Sequence, residues 1–147
     1  MAYLRPESAM RKLLRDAAGV QAALASDLVV CPLGAAPVNA LMPHIQYRRL
    51  SADTQHHLGG VSSSGLWMGR TELIVFAETL DAAVTAADAM RTVLDGAEPV
   101  TVTIGSDSVT FERLFLSNED EEVFDPSDSS DTRIFTITQE YEWSARP

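Results

Sequence analysis

The stretch RTELIVFAETLDAAVTAADAMRTVLDG, residues 70–96, runs an extended segment into a helix through a single capping position, and its reading decides the fold. Leu73-Ile74-Val75-Phe76-Ala77 is apolar at every position, so the strand Trp67–Glu78 is expected to be covered on both faces. That predicts a central strand, with a helix of the same chain on one side and a neighbouring subunit as a candidate cover for the other. Thr79 is a capping residue, Asp81 suits the positive end of the helix dipole, and Gly96 stands just past the helix end. The helix Leu80–Leu94 is rich in alanine (Ala82, Ala83, Ala86, Ala87, Ala89), and small side chains let it approach a sheet closely. Val84, Ala87, Met90, Val93 and Leu94 form its predicted buried stripe.

Upstream, Pro6–Ala25 reads as one amphipathic helix. Met10, Leu13, Leu14, Ala17, Gln21 and Leu24 recur at three- and four-residue spacing, and Pro6 fits the first turn, where its missing N–H is harmless. Leu28–Cys31 is a short apolar run predicted as a strand. Pro32, Gly34, Pro37 and Pro43 then exclude a continuous helix. His44–Leu50 alternates, with Ile45 and Tyr47 opposite Gln46 and Arg48, as a half-buried strand does. Ser51–Gly65 turns to Ser, Gly, His, Asp and Thr and is predicted to be a long functional or mobile loop.

Downstream the pattern is β throughout. Val100, Val102 and Ile104 alternate with threonines, Gly105-Ser106-Asp107-Ser108 reads as a hairpin turn, and Val109–Leu116 returns. Asn118–Asp131 is expected to be an acidic loop. Arg133–Trp143 is predicted as the last strand, with Phe135, Ile137, Tyr141 and Trp143 on one face. The sum is a single α+β domain over residues 1–147, a mostly antiparallel sheet with two helices packed on one face.

The net charge of −10 argues against nucleic-acid binding, which needs clustered Lys and Arg; Lys12 is the one lysine. An acidic surface repels DNA, and it also serves solubility at high copy number; composition leaves both readings open. Cys31 is the sole cysteine, so no intrachain disulfide forms, and its apolar neighbours predict a small buried hydrophobe. No apolar stretch approaches a membrane span, and the N-terminus lacks a signal-peptide pattern, which points to a cytoplasmic site of synthesis.

Three constellations invite a chemical reading. His56-His57 on a polar loop supplies two ligands where a zinc site needs three or four at defined spacing, so solvated histidines are the expectation. Gly59-Gly60 with Ser62-Ser63-Ser64-Gly65 lacks the Lys-Ser/Thr and helix start of a phosphate-binding loop. Glu119-Asp120-Glu121-Glu122 lacks the glycine-bearing turn of a calcium loop and is left as a solvated acidic run or a docking surface for a basic partner. Nothing pairs a nucleophile with a base, so the chain is expected not to be an enzyme and to use no cofactor or metal.

Four local features resemble the small tail-completion, or tail-terminator, family of long-tailed (siphovirus-like) phages and gene transfer agents. They are Ala23-Leu24-Ala25 ending the first helix and Pro43-His44-Ile45-Gln46-Tyr47 leading to a loop near Gly60. The others are Arg70–Ala77 running through Glu78–Ala83 to Val93-Leu94-Asp95-Gly96, and Phe124-Asp125-Pro126 before a strand with alternating aromatics. Each motif is structural, and the resemblance lies in their order along nearly the whole chain. It implies a homo-oligomeric ring, six subunits in the family, that ends the tail tube and joins it to the head–tail connector or a head-closure protein. Genomic DNA only passes through the lumen of such a ring, which is assembled in the host cytoplasm and resides in the virion neck. Expected assembly residues are His56, His57, Gly60, Trp67, Glu119, Asp120, Glu121, Glu122, Phe124 and Trp143. The alternatives are another neck or head-closure adaptor, and a small-molecule-binding or enzymatic α+β domain.

Overall fold

A computed structural model describes residues 4–55, 66–96, 99–124 and 133–146. Its elements are α1 (Pro6–Asp16), α2 (Ala18–Ala23), β1 (Val30–Pro32), β2 (His44–Gln55), β3 (Leu66–Ala77), α3 (Leu80–Leu94), β4 (Val100–Ile104), β5 (Asp107–Phe124) and β6 (Ile134–Arg146). The strands form one sheet in the order β1-β2-β3-β6-β5-β4. Every ladder is antiparallel except β1 with β2, which is parallel, so the sheet is mixed. The α+β expectation holds at that level, with three helices in place of two.

The predicted first helix breaks at Ala17, whose backbone is extended (φ −79°, ψ 123°). The break has a packing cause. Met10 and Leu14 are one helical turn apart and both buried, but Val20, six residues on, falls on a different side of a continuous helix. Interrupting the helix resets the phase, so Val20 and Leu24 also reach the core while Gln21, placed in the predicted stripe, faces water.

Strand β3 is central, flanked by β2 and β6. Its burial is one-sided: Leu73, Val75 and Ala77 are buried against the helices, whereas Ile74 and Phe76 on the other face are half-buried. The core joins these to Ile45, Phe111, Leu114, Ile137, Tyr141 and Trp143 of the sheet, with Met10, Leu14, Met90 and the small residues Ala83, Ala86 and Ala87 of the helices. Thr79 caps α3, its hydroxyl oxygen accepting from the Ala82 N–H at 3.1 Å.

Strands run into both expected loops. Ser51–Gln55 belongs to β2 and pairs with Leu66–Arg70, so the polar composition there does not end the strand. Likewise Asn118–Phe124 continues β5 and pairs with Ile134–Glu140. Acidic side chains disfavour strands, but the backbone groups that face β6 gain ladder partners on that strongly alternating strand, and at an edge the charged side chains stay in water. Bulges between Phe111 and Arg113 and between Leu116 and Asn118 bend β5 along the way. The sheet curls until α1 touches β4 at one edge and β1 and β2 at the other.

Candidate assembly surfaces

The sequence-predicted residues do not form one cluster. His56, His57 and Gly60 lie outside the described residues. Trp67 pairs with Ala145 near the C-terminal end of β6, whereas Phe124 pairs with Ile134 at its beginning, so the two sit at opposite ends of the sheet. Trp67 is half-buried and packs on the core. Trp143, one of the expected assembly residues, is 3% exposed. Its indole N–H donates to the Thr71 hydroxyl at 2.9 Å, and its ring meets Phe111 edge-on at 6.5 Å. Inward parity on a middle strand, which alternation alone does not distinguish from outward parity, puts it in the interior of its own chain. Cys31 is half-buried rather than fully enclosed, with burial raising its thiol pKa and the nearby Arg11 opposing.

Glu119, Asp120, Glu121 and Glu122 come together as an exposed edge on β5. Beyond Phe111 no described strand covers that edge, because β4 pairs only Asp107–Phe111. Glu119 is anchored: the Gln139 side-chain N–H2 donates to its carboxylate at 2.6 Å and to the Ala87 carbonyl of α3 at 3.0 Å. The Gln139 side-chain oxygen accepts the Tyr141 hydroxyl at 2.5 Å. This wholly buried amide ties β5, β6 and α3 together. Burial, with Asp95 and Glu119 adding to it, pushes the Tyr141 phenol well above its ordinary value. Sequence reasoning passed over Gln139, although it is the polar residue at an inward position between Ile137 and Tyr141.

The face of the sheet away from the helices is laced with charge. Arg48 pairs with Glu72, and Arg70 with Glu140 at 2.9 Å, while Arg113 lies over the Phe115 ring at 5.6 Å. Interleaved with these are half-buried Ile74 and Phe76 and 43%-exposed Met68. A shallow cavity of about 470 Å³ opens on this face over Met68, Gly69, Arg113 and Phe115.

A further surface is the connection from β1 to β2, residues 33–43. Leu33, Val38 and Leu41 are exposed there, Val38 completely. The loop is nonetheless tied down. The Gly34 N–H donates to the Gln46 side-chain oxygen at 2.9 Å, and the Leu41 N–H to Asp27 at 3.0 Å. Gln46 in turn donates to His44 Nε2 at 3.0 Å, which leaves His44 Nδ1–H to donate to the Leu41 carbonyl at 3.2 Å; the tautomer follows from these partners. The His44 ring stacks on Phe76 at 5.2 Å. The loop thus carries three outward apolar side chains on a hydrogen-bonded backbone. Its sequence signal was present as Leu33, Val38 and Leu41 between helix-breaking residues.

Among the described residues, no three His, Cys, Asp or Glu side chains converge as metal ligands, and no helix is long and apolar enough to cross a membrane.

No protein-family model and no curated protein matches the chain. Among solved structures, a chain of the "Virion of native gene transfer agent (GTA) particle" is similar, with a TM-score of 0.64 over 97% of this chain and 95% of that one. The two are 16% identical, and the likeness is one of fold.

Proposed function

We propose that this chain is a structural subunit of a tailed-phage or gene-transfer-agent particle, a tail-terminator that assembles as a ring between tail tube and head connector. The observation that carries the reading is the end-to-end fold likeness to a chain of a gene transfer agent virion, a likeness without insertion or truncation of a domain. The sequence resemblance to tail-completion proteins points the same way independently of fold. Three surfaces support the reading: an outward apolar loop at Leu33, Val38 and Leu41, an acidic edge that no described strand covers, and a charged sheet face with apolar side chains between ion pairs. Six copies in head-to-tail contact close a ring when the rotation per subunit divides the circle. The acidic composition suits a channel that DNA crosses without sticking. In this reading the role is non-enzymatic, the partners are further copies, the tube protein and the connector, and the chain resides in the virion neck.

The test combines native mass spectrometry of the full chain with electron microscopy of tail tubes polymerised with and without it. A ring of about six copies and tubes capped at one end are the expected result. A chain that is monomeric alone and with tubes, and that leaves tube length unchanged, overturns the proposal.

A further inference from the structure

The curled sheet leaves a seam between its two edges, and α1 forms its floor. The seam is a groove of about 620 Å³. Arg11, Lys12 and Arg15 line it at one- and three-residue steps on the outer face of α1, with apolar side chains of Leu28, Tyr47 and Ile104 around them. The groove holds three cations against one carboxylate, Asp16, in a chain whose net charge is −10. Lys12 pairs with Asp16 at 2.6 Å and Arg11 Nε donates to the Val30 carbonyl at 2.6 Å. Arg15 meets no carboxylate among the described residues, and the Ile104 side chain at the rim is 40% exposed.

The complementary surface is on the same chain but far along the sequence. Glu119 through Glu122 are exposed on an uncovered strand edge, and no ion pair of the described residues involves them. Strand alternation puts Glu119, Glu121 and Val123 on one face, and Val123 is 53% exposed. An acidic pair followed by an apolar residue matches a basic floor flanked by apolar side chains.

We infer that the α1 groove is the docking site for the acidic β5 edge of a second copy of this chain. Like charges crowded along one edge repel, and cations from a neighbour relieve that repulsion while selecting against other contacts. None of the acidic residues lines the groove of its own chain, so the contact joins unlike surfaces. A contact of that kind propagates head to tail and closes into a ring, where a two-fold dimer would use the same patch twice. The inference rests on the ring-forming reading and names its subunit contact.

Charge reversal and charge swap test it on the full chain. Lys12→Glu with Arg15→Glu, and separately Glu119→Lys with Glu121→Lys, are each expected to weaken association by at least about tenfold in sedimentation velocity, as for loss of interfacial charge pairs. Circular dichroism checks that each variant is folded. Mixing the two variants pairs one basic edge with one acidic groove and restores mixed oligomers, which a folding defect does not allow. A wild type that assembles while both variants assemble equally well overturns the groove assignment and leaves the ring reading standing. Failure of the mixture to recover association also overturns it. A wild type that stays monomeric with and without tail tubes overturns both.

Discussion

Gly69 stands directly opposite Trp143 on the β3–β6 ladder. A Cβ there would lie 2.5 Å from the Trp143 ring and 2.5 Å from the Ser51 carbonyl oxygen, and that oxygen is backbone and cannot step aside. Glycine is therefore required by close approach. Gly69→Ala is expected to destabilise the fold by about 1–3 kcal/mol, the usual range for overpacking, as read by urea denaturation. Unchanged stability would mean that β2 and β3 separate easily at that point. Tyr141 carries a prediction about pH. Its phenol titrates higher folded than unfolded, so the folded state holds the proton more tightly. The stability this contributes is complete below the ordinary value near 10 and declines as pH rises beyond it. Tyr141→Phe should flatten the alkaline limb of a stability-versus-pH profile, at the expense of the hydrogen bond to Gln139 at neutral pH. Tyr47, also raised by burial, keeps a smaller alkaline dependence in that variant.

At the scale of elements, α3 is the helix whose start the sequence marks most clearly. Thr79→Ala removes the side-chain acceptor of the Ala82 N–H and is expected to cost about 1 kcal/mol in thermal or chemical unfolding, with Thr79→Ser recovering most of it. The acidic part of β5 teaches the converse. Its residues read locally as loop, because Glu and Asp are poor strand formers and solvent-exposed on both faces. They form a strand because β6 has Ile134–Glu140 in register to complete the ladder, and because Gln139 holds Glu119 from below. The parallel placement of β1 was equally hidden: Val30–Pro32 is apolar whichever direction its partner runs. Helix α1 is held to β2 by the two-pronged contact of Arg49 with Glu7, a pair 42 residues apart that no local pattern announces.

For the whole molecule, burial on one side of β3 leaves a sheet face that a second body can cover. If assembly buries that surface or the α1 groove, the oligomer is favoured by mass action, and the melting temperature rises with protein concentration. Differential scanning calorimetry at concentrations spanning two decades checks this; a concentration-independent transition under the same conditions speaks for a monomer. Trp67 and Phe124 lie at opposite ends of the sheet, so one compact contact does not include both.

The residues by themselves determined the class of fold, the capped alanine-rich helix, the central strand Leu73–Ala77 and the β pattern that follows Gly96. These are periodicities and compositions carried within a few residues of one another. Tertiary structure alone decided where α1 ends, that the acidic run extends β5, that Trp143 points inward and that Arg11, Lys12 and Arg15 line an open seam. Each of those depends on which distant backbone supplies the hydrogen bonds and which distant side chain fills the space, and a strand's own alternation is the same whichever face is turned to the core.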